Sequence, residues 1–137
     1  MRAQAAFEYM LVAVIVLAFL VPLWIYTVTV NNEATNELSL SYARNAVESI
    51  TNAADLVYSQ GSPAMVRIKV FIPDNVISFN LTNHSITASL VYYDKETYVY
   101  ADSNAVLNGS IPSGSGTYWI EVTAIDNPTY DVNIYAA

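Results

Sequence analysis

The chain has no cysteine. Disulfides and thiolate metal sites are therefore excluded, and the redox compartment leaves no trace in the sequence. There is one histidine, His84, and only four glycines. A convergent histidine-based catalytic set and a glycine-rich phosphate loop both lack the residues they need. Basic residues are equally scarce: Arg2, Arg44, Arg67, Lys69 and Lys95, against twelve acidic ones, for a net charge of −7. They form no cluster beyond Arg67/Lys69. Phosphate binding needs a basic patch, so the charge balance argues against nucleic acid as a partner. Charged residues make up 12% of the chain, about half the usual share.

Apolar residues fill the gap, at 54% of the chain, and much of that excess sits in the first 30 positions. From Tyr9 to Asn32 no residue is charged. The run Tyr9–Val30, as a helix at 1.5 Å per residue, is roughly 33 Å long, enough to cross a hydrocarbon core of about 30 Å. It is apolar on every side, so it requires apolar surroundings on every side. The apolar region of a secretory signal is about 7–15 residues and ends in small residues. This one is longer and ends in Tyr26-Thr27-Val28-Thr29-Val30, so an uncleaved span is expected. Arg2 and the amino terminus precede it and Glu33 and Glu37 follow it. The positive-inside rule then predicts a cytoplasmic N-terminus with the rest of the chain outside. Pro22 removes one backbone donor within the span and is expected to kink or loosen the helix there.

Glu8 stands at the edge of this run. A headgroup-level carboxylate is one account. The other is a carboxylate buried among helices, which needs a positive partner because a lone charge in apolar surroundings is costly. Within the segment the only cations are Arg2 and the amino terminus.

After the span, Leu40, Ala43, Val47, Ile50, Ala54 and Val57 recur at spacings of three and four. They form one narrow helical stripe, with Arg44, Glu48 and Asp55 off it. Gly61 and Pro63 signal the stop. The expectation is a helix over 4–60 whose second half packs its stripe against the domain that follows.

From Ala64 the period becomes two. Val66/Ile68/Val70/Ile72, Ile77/Phe79/Leu81, Ile86/Ala88/Leu90/Tyr92, Thr97–Ala101, Tyr118/Ile120/Val122/Ala124 and Tyr130–Tyr135 predict six strands. Turn signals fall at Pro73–Asn75, Thr82–His84, Asp94–Glu96, Ser113–Gly116 and Asp126–Pro128, with Asp94–Glu96 expected to join a hairpin between Tyr93 and Thr97. The fold class predicted is α+β: a long N-terminal helix followed by a small antiparallel sheet or sandwich at 61–137. Eleven tyrosines, most of them in this region, are accounted for by β-propensity and half-buried packing, with an adhesive or glycan-stacking face as the alternative.

His84, in Leu81-Thr82-Asn83-His84-Ser85, reads as an exposed loop residue. Asp94, Glu96, Asp102, Asp126 and Asp131 show no calcium-loop spacing and read as solvated turn residues. No metal, no cofactor and no enzymatic activity are expected. Asn80-Leu-Thr, Asn83-His-Ser and Asn108-Gly-Ser match the N-glycosylation acceptor.

The stretch Gln4-Ala-Ala-Phe-Glu8-Tyr-Met-Leu11 resembles the cleavage motif of archaeal type IV pilins, the class III signal peptide family. That motif is a short basic leader followed by Gln-x-Ser-x-Glu, an aromatic and an apolar run. Ala6 stands where serine is usual, and Ala3 where glycine is commoner. The resemblance implies a leader of residues 1–3, cut by a leader peptidase between Ala3 and Gln4, with Glu8 as the fifth mature residue. It implies a membrane-held subunit, N-terminus inside, that an assembly platform adds to an extracellular homopolymeric filament used for adhesion or surface attachment. Tyr9, Leu11, Leu17, Phe19, Pro22 and Trp24 would lie in the helical core of that filament. Glu8 would pair with the new terminal amine of a subunit, and N-linked glycans would decorate the outside. Two other readings stay open: a single-span anchored surface protein that binds a ligand and never polymerises, and an archaellum subunit.

Overall fold

The computed structural model describes residues 2–137, with side chains from Gln4 onward. The chain divides into a first unit ending at Thr35 and a second from Asn36 to Ala137. One helix, α1, spans Arg2–Gln60, with Pro22 inside it.

In the first unit every side chain from Gln4 to Thr35 is exposed. This is the one helix long and apolar enough to cross a membrane among the described residues. Thr27 and Thr29 turn their hydroxyls back on the carbonyls of Leu23 and Ile25, at 2.9 and 3.0 Å. Each hydroxyl is thereby satisfied within the helix, which is what an apolar environment demands.

In the second unit α1 buries the predicted stripe. Ala43, Val47, Ile50, Ala54 and Val57 are fully buried, and Ala46, Thr51 and Ala53 widen the stripe on its flanks. The helix ends as its sequence dictates. Gly61 takes φ +75°, and its N–H donates to the Val57 carbonyl at 3.0 Å. A left-handed glycine of this kind closes the last turn without the strain a Cβ would bring.

Seven strands follow: β1 Met65–Ile72, β2 Val76–Leu81, β3 Ser85–Tyr92, β4 Lys95–Asp102, β5 Leu107–Gly109, β6 Gly116–Ala124 and β7 Val132–Ala136. They form a four-stranded sheet in the order β1-β6-β7-β5 and a three-stranded sheet in the order β2-β3-β4. Every pairing is antiparallel except β5 with β7, which is parallel. The inward rows of both sheets and the α1 stripe meet in one core, to which Ile72, Ile120, Val122 and Ile134 contribute from one sheet and Ile86 and Leu90 from the other. Each such Val, Ile or Leu contributes roughly 1.5–3 kcal/mol on burial.

The α+β class and the six strands expected from period two are all present, with three differences of detail. First, β5 is a seventh strand, too short at three residues to show any alternation. Second, the β3–β4 hairpin turns at Tyr93-Asp94, not at Asp94-Lys95-Glu96. Tyr92 pairs with Lys95 and Val91 with Glu96, leaving a two-residue loop in which Tyr93 and Asp94 take φ +49° and +58°. This is the primed-turn geometry that matches strand twist. Third, the last strand begins at Val132, because Tyr130 and Asp131 belong to the preceding turn. There Asp131 bonds back to Val106, its N–H to the Val106 carbonyl at 2.9 Å and its carboxylate accepting the Val106 N–H at 2.9 Å.

Candidate assembly surfaces and modification sites

Glu8 is exposed on α1, in the turn before the apolar run. Tyr9, Leu11, Leu17, Phe19 and Trp24 are exposed as well, Tyr9 at 79% and Trp24 at 74%. Large apolar side chains are thus bare on every side of the helix from Phe7 to Val30, far beyond the few hundred Å² that soluble monomers leave in one patch. Gln4 is exposed; the side chain of Ala3, the other residue of the expected processing site, lies outside the described residues, as does Met1.

In the second unit the strands sort their side chains by alternation. On the four-stranded sheet β1 directs Met65, Arg67, Lys69 and Phe71 outward. Register sets Arg67 opposite Glu121, and Glu121 opposite Tyr135. Arg67 Nη2 donates to Glu121 Oε2 at 2.8 Å, and the Tyr135 hydroxyl donates to Glu121 Oε1. Glu121 is 8% exposed even though it sits on the outward row. The Tyr135 hydrogen bond, and then Arg67, hold its carboxyl below the usual range. One step along the strands, Lys69 Nζ lies 5.9 Å from the Trp119 ring centroid, within cation–π reach. Phe71 meets Tyr42 of α1 edge-on, with centroids 5.2 Å apart.

On the three-stranded sheet the outward row of β4 is Glu96, Tyr98, Tyr100 and Asp102. Tyr98 and Tyr100 are 61% and 69% exposed. The account of tyrosines as half-buried packing fits Tyr92, Tyr118 and Tyr130 but not these two. Glu96, through a hydrogen bond and its charge, holds the Tyr98 phenol above its ordinary range.

Asn80, Asn83 and Asn108 are all exposed. Asn80 shares the outward row with Thr87 and Tyr100. Thr82 and Ser85, the hydroxyl residues of the first two acceptor triplets, bond to each other at 2.6 Å. Asn108 Nδ2 is 3.4 Å from Asn133 Oδ1. His84 is exposed, and its carbonyl accepts the Ser103 N–H at 2.7 Å. No group of three or more His, Asp and Glu side chains is arranged to hold a metal among the described residues.

Two features of these surfaces escape a reading of the sequence, and a third was within its reach. The Arg67–Glu121–Tyr135 ladder depends on register, which alternation leaves undetermined. Asp131 reads as a solvated turn residue and Asp55 only as lying off the apolar stripe, yet each accepts a backbone N–H from a distant segment. The outward placement of Tyr98 and Tyr100 was available from parity, since Val99 between them is the residue that faces the core. Compared as a whole, the chain matches no family model, no curated protein and no solved structure.

Proposed function

We propose that the chain is a structural subunit of a cell-surface filament of the archaeal type IV pilus kind, polymerising through its N-terminal helix and serving attachment. One observation carries the reading: an apolar helical segment exposed on all sides from Phe7 to Val30, joined to a separate folded unit that needs none of it to complete its core. Such a segment must be covered by lipid or by copies of itself. In this reading lipid covers it first and other helices cover it later. The N-terminus lies in the cytoplasm, and the strand-bearing unit lies outside.

Glu8 distinguishes a waiting subunit from a permanent anchor. A carboxylate at the edge of a lone span gains nothing from depth, whereas among bundled helices it neutralises the amine released when a leader peptidase cuts before Gln4. An assembly platform adds subunits by different surfaces on each side, so the polymer does not close. One or more of Asn80, Asn83 and Asn108 carry N-glycans on the outside. The reading assigns the chain no catalytic role, no cofactor and no metal.

N-terminal sequencing of surface filaments sheared from cells tests this. A mature start at Gln4, with Glu8→Ala keeping the protein in the membrane but abolishing filaments, is the expected result. An intact Met1 on a protein that never leaves the membrane means a single-span anchor. Filaments that rotate and drive swimming mean an archaellum subunit.

A further inference from the structure

The two sheets turn differently charged faces away from their shared core. The four-stranded face carries Arg67 and Lys69 against the single carboxylate of Glu121, a net of +1 (two cations less one anion), in a chain whose total is −7. The outward row of the three-stranded sheet carries Glu96 and Asp102, a net of −2; the cation of its strands, Lys95, is exposed at the start of β4 in the other row, across from Tyr92. Both faces also expose aromatic groups: Phe71 and Trp119 on the first, Tyr98 and Tyr100 on the second. Trp and Tyr set in a polar surround are the residue types that carry most of the energy of protein contacts.

We infer that these two faces meet in neighbouring copies of the chain. The basic, aromatic face of the four-stranded sheet of one copy seats on the acidic, tyrosine-bearing face of the three-stranded sheet of the next. This rests on the filament reading and adds the outer contact to it. A single partner accounts for both faces at once, which a ligand taken by either face alone does not. Arg67 is already held by Glu121, so Lys69, whose ammonium lies over Trp119, is the cation of this face that reaches Glu96 or Asp102 across the contact. The two surfaces differ, so the contact runs head to tail and propagates without closing. Opposite net charges favour this pairing over like faces meeting and make it weaken with salt.

A rival occupant exists for the acidic face. Asn80 lies in one outward row with Thr87 and Tyr100, and a glycan there would lie over the tyrosines. The absence of cysteine from the sequence makes a clean test possible. The full chain carrying both Thr117→Cys, beside Phe71 on the first face, and Val91→Cys, beside Glu96 on the second, recovered in sheared filaments and treated with a short bis-maleimide, should run as a ladder of dimers, trimers and higher multimers under denaturing conditions. Each single variant should stay monomeric. Separately, Lys69→Glu should lower filament yield several-fold, and adding Glu96→Lys should restore much of it. Filaments without a ladder, dimers from either single variant, or a glycan on Asn80 in most copies would each overturn the contact while leaving the filament reading intact. A wild-type chain that forms no filament sinks both.

Discussion

The Asp55 carboxylate accepts the Ser103 hydroxyl at 2.7 Å, joining α1 to the loop that leaves β4. The same oxygen accepts the Asn104 N–H at 2.9 Å. Ser103 is buried, and its oxygen in turn accepts the Ala105 N–H at 3.1 Å. One acidic side chain beside the apolar stripe therefore fixes the path of the chain between β4 and β5. Helix and strands are held by directional bonds as well as by burial.

Replacing Asp55 with alanine should cost roughly 1–3 kcal/mol, the penalty for leaving the buried Ser103 hydroxyl and a backbone donor without their acceptor. The measurement is a denaturant midpoint of the full chain in detergent micelles, followed by the near-ultraviolet signal of the tyrosines and Trp119. Asp55→Asn, which keeps one acceptor oxygen, should lose less than Asp55→Ala. Equal losses would mean that the helix is held by its stripe alone.

Glu121 gives the strand-bearing unit an acid-sensitive joint. Its folded pKa is lowered by Tyr135 and Arg67, so its contribution is fully present above the unfolded carboxyl value of about 4.3. That contribution is lost as pH falls through the folded value. Glu121→Gln should melt a few degrees below the wild type at pH 7, and the gap should narrow as pH drops below about 4. Tyr135→Phe should show a smaller effect of the same sign. A gap that stays constant from pH 7 to pH 3 would exclude this ladder as the source.

The β3–β4 turn holds two non-glycine residues at positive φ, Tyr93 and Asp94. A left-handed conformation costs an ordinary L-residue roughly 1–2 kcal/mol, and aspartate somewhat less. Asp94→Gly should therefore stabilise the chain by about 0.5–1 kcal/mol, since Asp94 is exposed and glycine is the residue this turn favours. Asp94→Val should destabilise it by a similar or larger amount. Thermal melts of both variants against wild type decide the matter. Matching shifts of one sign would mean that the side chain, not its backbone angle, is what counts.

How much of this was legible in the sequence follows from the range of the interaction involved. The apolar run from Tyr9, the stripe from Leu40 to Val57 and the alternation in Val66–Ile72 are local patterns, and each produced the element it predicted. The stop at Gly61 is local too. What could not be read depends on partners distant in the chain. The parallel pairing of Leu107–Gly109 with Val132–Ile134 brings together segments some 25 residues apart, and three residues carry no period. Asp55 finds Ser103 across 48 positions, and Arg67 finds Glu121 across 54. The turn at Tyr93-Asp94 was misplaced because the polar triplet Asp94-Lys95-Glu96 looks like a loop, while strand register assigns two of its members to β4. Of the candidate surfaces, Glu8 and the bare helix were plain from hydrophobicity, and the Arg67–Glu121–Tyr135 ladder required the register.

Gly109 is where that hidden pairing is most vulnerable. It takes φ +127°, and a Cβ added there would stand 1.9 Å from the Ile134 carbonyl oxygen, with the Ile134 carbonyl carbon and nitrogen at 2.7 and 2.8 Å. All three atoms are backbone on the neighbouring strand, so no side-chain rotation relieves the clash. Gly109→Ala must either push β5 off β7 or move the C-terminal strand, and roughly 2–4 kcal/mol of stability should go with it. Gly114→Ala is the matched control. Its Cβ would meet only the Tyr118 hydroxyl, at 2.9 Å, the movable end of a side chain, and its effect should stay within about 0.5 kcal/mol. Denaturant midpoints of the two variants in micelles, with hydrogen exchange at the Ser110 amide that bonds the Ile134 carbonyl at 2.9 Å, separate the outcomes. Loss of protection at Ser110 in Gly109→Ala alone locates the damage in the β5–β7 pair. Unchanged protection would mean that the parallel pair tolerates the methyl group and contributes little to the fold.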